Sequence, residues 1–293
     1  MSKVSEKVYN AVTRLELRED ELRRWCFPRP CEQQGKAKLF NIDQSYNRRV
    51  PGRYIRTCRR CKTVYRIHGD GRPLTVEKCE YHWGKMSRSV MPIHYCCKRS
   101  VGSSPCATAP QHVSEEIDPD NLTGFINTGL NTSVTEESIY ALDCEMLFTT
   151  AGMDVAAISI VDSNCQLVYE TLILPDAPII DYNTEHSRLT KEHFTGVTTT
   201  LRDVHSKLLS MVGSNTILVG HGVEHDLLRL KVIHDRIVDT SIIYPHPRGP
   251  KIRNSLAYLK ERFLSVSISS PNELKCREDA KVTMKLVLRK KRL

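Results

Sequence analysis

Three apolar stretches follow one another closely in the second half of the chain and restrict its fold most: IYALDCEM (139–146), VAAISIVD (155–162) and LVYETLIL (167–174). They predict three strands separated by short turns. Helical and strand patterns then alternate, with helices predicted at 200–212, 223–233, 255–264 and 277–291 and strands at 216–221 and 237–244. This order is typical of an α/β fold with one mixed sheet and helices on both faces.

The chain before residue 139 has a different character. Residues 5–25 have apolar side chains spaced for one face of a short amphipathic helix. Residues 26–113 show little periodicity and many arginines, and the polar segment 114–138 contains turn-forming residues throughout. We therefore expect a basic Cys/His-rich region over 1–113, a linker over 114–138 and a folded domain over 139–293.

Charge is distributed unevenly along the 293 residues. The net charge is +9, and residues 1–113 contain 23 Lys and Arg against 10 Asp and Glu. This asymmetry favours a polyanion as partner of the basic half, with a solvated basic surface as the alternative. The charged N-terminus does not resemble a signal peptide, and no apolar run approaches the ~20 residues of a membrane span. We expect a soluble intracellular protein without a membrane partner.

Cysteine follows the same division, since eight of the 11 cysteines precede residue 113. Without a secretory signal, clustered Cys and His more often bind zinc than form disulfides. One structural Zn²⁺ site is predicted from a C-x₂-C and a C-x₂-H pair, Cys58, Cys61, Cys79 and His82. A second is predicted from the set that follows, Cys96, Cys97, Cys106 and His112. Buried free thiols are the alternative for both sets.

Two acidic residues interrupt the first predicted strand of the sheet. Asp143 and Glu145 are one residue apart, so an extended chain places both side chains on one face. An isolated buried carboxylate is unfavourable unless it is paired or binds a metal ion. Asp226 follows a strand–helix turn and Asp279 begins the last helix. Four such carboxylates can hold two hard divalent cations, although a helix cap is the alternative for Asp279.

Four motifs, in this order, resemble the exonuclease motifs of the DEDD 3′–5′ exonucleases: ALDCEM, GHGVEHDLLRLK, VDTS and REDAKVTMKLV. Longer stretches, such as LDCEMLFTTAGMDVAAISIVD, are similar to the Rex-type RNA exonucleases, the group that includes the GOR antigen. The resemblance covers essentially all of 139–290 and roughly 15–113. It implies an RNase H-like mixed sheet flanked by helices, preceded by a small irregular zinc-binding module.

The resemblance also implies a chemistry. Asp143, Glu145, Asp226 and Asp279 would bind two Mg²⁺ or Mn²⁺ ions for hydrolysis of single-stranded RNA 3′ ends to nucleoside 5′-monophosphates. Met146 and His221 would contact the substrate.

The sequence departs from the family pattern in its third motif. The family usually has a histidine general base five residues before the motif's aspartate, where this chain has Leu274, and a related branch has a tyrosine at the position of Lys275. Loss of a general base typically costs ~10²–10⁴-fold in rate. His225 or His221 could substitute, or the chain could be an RNA-binding pseudo-exonuclease. A zinc-mediated adaptor is a further alternative, which leaves the carboxylates unexplained.

Basic residues around the first predicted zinc site suit a nucleic-acid surface. Residues 48–66 contain many arginines interleaved with Tyr54 and Tyr65, which could contact phosphates and stack on bases. The basic end of the chain, 288–293, could extend this surface or assist nuclear targeting. We expect RNA as partner and the nucleus as location, with the cytoplasm left open.

Overall fold

The computed structural model describes residues 4–42, 54–84, 86–87, 90–249, 252–264 and 273–290. Its helices are α1 Glu6–Thr13, α2 Glu19–Arg24, α3 Thr184–Ser187, α4 Leu201–Met211, α5 Glu224–Arg229, α6 Thr240–Ile243, α7 Leu256–Leu264 and α8 Lys275–Lys290. Its strands are β1 Arg29–Pro30, β2 Ala37–Lys38, β3 Ile55–Thr57, β4 Val64–Arg66, β5 Cys79–Tyr81, β6 Ala107–Ala109, β7 Ile126–Asn127, β8 Ser138–Thr149, β9 Gly152–Asp162, β10 Leu167–Leu172, β11 Ile179–Asp181, β12 Thr216–Gly220, β13 Val232–Ile233 and β14 Ile237–Asp239.

One mixed sheet organises the second half of the chain, in the order β10-β9-β8-β12-β14, with the short β11 beside one end of β8. The first three strands are antiparallel, and β12 and β14 continue the sheet parallel to β8. The predicted α/β fold with a mixed sheet is therefore confirmed.

Alternation along β8 divides the hydrophobic core between the two faces of the sheet. Leu142 belongs to a cluster with Val204 of α4. Its neighbour Ala141 belongs to another cluster, with Met284 of α8. The long last helix therefore covers the odd-numbered face of β8, on which Asp143 and Glu145 also lie.

Two predicted elements are shorter than expected. The helix predicted at 223–233 ends at Arg229, since Lys231 adopts a left-handed φ of 53° and Val232 enters β13. The strand predicted at 237–244 ends at Asp239, whose carboxylate accepts a hydrogen bond from the N–H of Ser241 and thereby caps α6. The turn chemistry of Asp239 outweighs the β-propensity of the residues that follow.

Helices α1 and α2 and the residues just after them pack against the sheet. The helix predicted at 5–25 is two helices, α1 and α2, because Leu17 between them donates a backbone hydrogen bond to Ile237 at 2.8 Å. Val12 joins the core cluster beneath α8, and Phe27 joins the cluster beneath α4. In the predicted linker, β7 pairs with β13. The predicted boundaries at 113 and 138 stay predictions, although core contacts cross them.

Residues 54–113, called the Cys/His-rich segment from here on, contain two small antiparallel strand pairs, β3 with β4 and β5 with β6. A loop of this segment reaches the β8–β9 turn at Gly71, whose φ is +85°. A Cβ at Gly71 would lie 2.1 Å from the carbonyl oxygen of Thr150. Only glycine permits this approach between the segment and the sheet.

No helix in the described part of the chain combines the length and apolarity needed to cross a membrane.

Candidate functional site

Asp143 and Glu145 project from β8 toward the start of α8. Asp143 pairs with Ser159 across the sheet, and the register between β8 and β9 shifts directly after Glu145. Such β-bulges are frequent beside functional sites, where they redirect a side chain. Glu145 is 4% exposed, and its Oε1 atom lies 3.4 Å from the Nζ atom of Lys275, the first residue of α8.

Asp226 reaches the same place from α5, just after β12. The turn between these elements depends on Gly222, with φ of +70°, and on Asp239, whose carboxylate accepts the backbone N–H groups of Gly222 and Val223. Asp226 is 7% exposed. Asp279 comes from the second turn of α8.

The charges of these acids act on one another. Burial raises the pKa of Asp143 well above its ordinary value, and the charges of Asp226 and Asp279 raise it further, whereas Lys275 lowers it. Burial also raises the pKa of Asp226, and the charges of Glu224, Asp239 and Glu145 raise it further. The pKa of Glu145 is raised to about 7, chiefly by burial. Like charges held together in this way favour a bound cation.

Lys275 supplies a positive charge within this group of acids. Its Nζ atom lies 2.9 Å from Oδ2 of Asp279, one helical turn ahead on α8. Burial opposes the charge of Lys275, but Glu145 and Asp279 raise its pKa nevertheless. The sequence did not predict this contact.

The position of the expected general base is apolar. Leu274 packs against a hydrophobic cluster that includes Leu147 and Leu189. His225 lies on the rim of the site, with Nε2 3.4 Å from Oε1 of Glu224. Packing around the His225 ring and nearby Arg253 lower its pKa, although half of the side chain is exposed.

The two predicted substrate contacts have structural partners. The Nδ1 atom of His221 lies 2.9 Å from Oγ1 of Thr240. The Met146 side chain packs against the core cluster beneath α4, and its carbonyl oxygen accepts a hydrogen bond from Asn183 at 3.3 Å. The substrate role of both residues stays a prediction.

Two compact groups of Cys and His lie in the Cys/His-rich segment. Among the described residues, these two groups bring the ligand atoms of three or more Cys, His, Asp or Glu within 4.8 Å of one another: Cys58, Cys61, Cys79 and His112, and His82, Cys96, Cys97 and Cys106. The four acids Asp143, Glu145, Asp226 and Asp279 are not among the compact groups found in the described residues. The predicted ligands are therefore present, but the predicted assignment of His82 and His112 is wrong, because the two histidines exchange places.

The alternation of β5 explains the exchange. Cys79 and Tyr81 are buried while Glu80 between them is exposed. A residue three positions after Cys79 consequently points away from it, and His82 turns toward the second group. The C-x₂-C pair, Cys58 and Cys61, lies in one group as predicted, because residues 59–61 form a turn that Lys62 closes with a left-handed φ of 66°.

Distances in both groups suit tetrahedral zinc. Zn–S bonds of ~2.3 Å and Zn–N bonds of ~2.0–2.1 Å imply S···S separations of ~3.8 Å and S···N separations of ~3.5 Å. The sulfur atoms of Cys58 and Cys79 are 3.7 Å apart, and Cys61 Sγ lies 3.3 Å from Nδ1 of His112. In the second group, Cys106 and Cys96 are 3.5 Å apart, and Cys97 Sγ lies 3.6 Å from Nδ1 of His82.

Arginines predicted to bind phosphate have internal partners. Arg60 forms a salt bridge with Asp181 at 2.6 Å, and its side chain is 9% exposed. Arg56 faces Glu116 at 3.6 Å, and Arg59 pairs with Glu115. Arg56 and Arg60 are therefore mostly buried, whereas 51% of the Arg59 side chain is exposed. The role of this stretch in binding RNA stays a prediction. Positions 48–53 of the same segment lie outside the described residues.

Tyr54 and Tyr65 differ in their environments. Tyr54 is 60% exposed. Burial raises the pKa of Tyr65 to about 12, and its ring lies 5.5 Å from that of His112. Tyr54 is thus the one of the two that offers an open face for stacking.

Comparisons with known proteins agree with the motifs. A family model described as the RNA exonuclease 3 middle domain matches residues 56–110. Human RNA exonuclease 1 homolog is 37% identical over 97% of this chain and 24% of its own length. Exonuclease GOR of Pan troglodytes is 35% identical over 97% of this chain and 42% of its own length. RNA exonuclease 3 of Schizosaccharomyces pombe is 33% identical over 80% of this chain and 44% of its own length.

The chain thus spans less than half the length of these relatives. The catalytic unit of Neurospora crassa Pan2 aligns with 61% of this chain and 29% of its own, with 22% sequence identity and a TM-score of 0.47. The matched middle domain and the relatives that align with almost all of this chain support the Rex-type exonuclease family as the family of this chain.

Proposed function

We propose that this chain is a metal-dependent 3′–5′ RNA exonuclease that releases nucleoside 5′-monophosphates from single-stranded 3′ ends. One observation carries the proposal: β8, α5 and α8 bring Asp226, Asp279 and Glu145 close enough to Asp143 for their charges to raise its pKa. Buried carboxylates assembled in this way lower the stability of the fold unless a cation compensates them. Relatives named RNA exonucleases support the substrate class.

The carboxylates suit Mg²⁺ or Mn²⁺, since both ions prefer oxygen ligands. When bound, such ions lower the pKa of water and compensate charge on the scissile phosphate. The chain's own part is to fix the acids: the β8–β9 ladder holds Asp143 and Glu145, and the turn organised by Asp239 holds Asp226. The two Cys/His groups would each hold a structural Zn²⁺.

The RNA end would reach the carboxylates across a rim built from both halves of the chain. Trp83 is 42% exposed and meets His186 edge to face, with 5.9 Å between ring centroids. Arg188, 64% exposed, lies near enough to Glu145 to act on its pKa. An indole offers a stacking surface for a base, and a guanidinium offers a phosphate contact.

A second candidate function, an RNA-binding pseudo-exonuclease, is favoured by the third motif. Leu274 cannot accept a proton, and Lys275 places an ammonium among the acids. In that case the residues of the rim would bind RNA, and the carboxylate site would not hydrolyse the bound RNA.

An assay with end-labelled single-stranded RNA separates the two functions. In Mn²⁺ or Mg²⁺, an exonuclease of this polarity releases a 3′ label at once as mononucleotide and shortens 5′-labelled RNA progressively. EDTA and Asp143→Asn should abolish both signals, whereas Asp120→Asn, at an exposed position of the 114–138 segment, should not. RNA that is bound but stays intact at every metal concentration would replace the exonuclease by the pseudo-exonuclease.

We also propose a nuclear location, supported by the basic residues near the C-terminus, of which 291–293 lie outside the described residues. Imaging of the tagged chain, with and without residues 288–293, tests it. An even distribution of both forms would contradict it.

A further inference from the structure

Lys275 stands at the junction of two acids that come from different elements. Its Nζ atom lies 2.9 Å from Oδ2 of Asp279 on α8 and 3.4 Å from Oε1 of Glu145 on β8. Distances of this kind are those of a charge-assisted hydrogen bond and a close ion pair. One ammonium thus joins the two acids, much as a metal ion shared between carboxylates would.

Helix electrostatics do not account for a lysine here. Lys275 is the first residue of α8, and a positive charge at a helix N-terminus opposes the helix dipole. The pair with Asp279 also has the basic residue first, the weaker order for residues spaced i and i+4. The favourable energy therefore comes from the contacts of the ammonium with the carboxylates of Glu145 and Asp279.

We propose that Lys275 is a built-in cation of the carboxylate site and that its ammonium occupies the position of one divalent ion beside Glu145 and Asp279. The site consequently binds one Mn²⁺ or Mg²⁺ ion strongly and a second only weakly. The inference rests on the proposed metal role of these acids. It concerns how many ions the chain holds and how tightly, and not whether RNA is hydrolysed.

Charge balance supports this division of the site. Four ionised carboxylates are neutralised by two divalent ions, but with Lys275 present the first ion leaves a single negative charge and the second produces a surplus positive charge. The second ion would also repel an ammonium that contacts the same oxygens. The hydrogen bonds and ion pairs of Lys275 in the described part of the chain join it to Glu145 and Asp279, so we expect the first ion beside Asp143 and Asp226.

Mn²⁺ titration of the zinc-loaded protein tests the proposal, with calorimetry and the electron paramagnetic resonance signal of free Mn²⁺ as readouts. Wild type should bind one ion strongly. Lys275→Met, which keeps most of the side-chain stem, should bind two, the second at least about tenfold more tightly than in wild type. Lys275→Gln should behave in the same way, which guards against poor folding of either variant.

The matched control is Lys281→Met on the same helix, where Lys281 contacts Glu273 at 2.9 Å instead of the four acids. It should titrate like wild type. Two equally tight ions in wild type, no change in either Lys275 variant, or an equal change in Lys281→Met would each overturn the proposal. Because the readout is metal binding, a protein that titrates as expected but never cleaves RNA refutes the proposed function and leaves this inference standing.

Discussion

Arg60 and Asp181 join the Cys/His-rich segment to the sheet through two parallel hydrogen bonds, of 2.6 and 2.8 Å, from the guanidinium to the two carboxylate oxygens. The guanidinium also lies 5.3 Å from the ring centroid of Phe148 on β8. A planar fork suits this geometry, and a lysine cannot reproduce it. The pair therefore fixes where the segment sits relative to the sheet.

Removing this fork should weaken the whole assembly. Arg60→Ala leaves Asp181, whose side chain is 12% exposed, without its ion-pair partner and should lower the free energy of unfolding by about 3–5 kcal/mol. Arg60→Lys should recover only part of this loss. Thermal denaturation in excess zinc measures the loss. The exposed pair of Arg72 with Asp70 provides the control, since Arg72→Ala should leave the melting temperature unchanged. Equal melting temperatures for Arg60→Ala and wild type would contradict the docking role.

Zinc content should report the exchanged histidines directly. We expect two Zn²⁺ per chain, one in each Cys/His group. Cys79→Ser combined with His112→Ala removes ligands from one group and should leave one zinc. Cys79→Ser combined with His82→Ala damages both groups and should leave less. Elemental analysis of the purified variants distinguishes these results, and the opposite order would restore the pairing expected from spacing.

A histidine at position 274 should increase turnover. Leu274→His should raise it by about 10²-fold or more if the remaining site is competent, and the pH–rate profile should gain a limb near pH 6.5. Leu274→Asn has similar polarity without a base and serves as control. Because Leu274 packs against apolar side chains, both variants should melt at lower temperature. Equal rates for the two variants would exclude a general-base effect.

A buried histidine should make stability depend on pH. Burial lowers the pKa of His234 to about 4, and its Nε2 atom faces the carbonyl oxygen of Thr216 at 2.8 Å. The unfolded chain binds this proton near pH 6.5, so the stability contributed by neutral His234 is complete above that pH and is lost progressively down to about pH 4. At pH 5 the loss should reach about 2 kcal/mol.

The measurement compares wild type with His234→Gln by thermal denaturation in excess zinc at pH 7.5 and 5. The stability advantage of wild type should shrink at the lower pH. His193→Gln, at an exposed position, should show no such change. An advantage that is constant with pH would mean that His234 has the same pKa in the folded and the unfolded protein, and would contradict this prediction.

Local patterns were sufficient for the three antiparallel strands of the sheet, whereas the set of four acids was inferred from the resemblance to a family. The apolar runs predicted β8, β9 and β10, and period-two alternation placed Asp143 and Glu145 on one face with Cys144 on the other. Helix ends were less predictable, because residues such as Lys231 leave the helical region for pairing partners far along the chain.

Contacts between distant segments could not be read from spacing. The partner of Arg60 is Asp181, 121 positions away, and nothing local distinguishes this arginine from a phosphate-binding one. Spacing from Cys79 assigns His82 to the first zinc group, but it does not take into account that β5 is extended and turns His82 away from Cys79. The sequence shows only that Lys275 stands where a related branch has a tyrosine. Its contact with Glu145 depends on how α8 lies over β8, which spacing does not indicate.

The order of the Cys/His ligands along the chain has a consequence for biosynthesis. All four members of the second group, from His82 to Cys106, fall between Cys79 and His112. A ribosome therefore exposes three thiols of the first group, then an entire second group, and only afterwards the histidine that completes the first. Metal capture by the second group shortens the loop between Cys79 and His112 and so reduces the entropy lost when that loop closes. The nascent chain should load its inner ion first and its outer ion last.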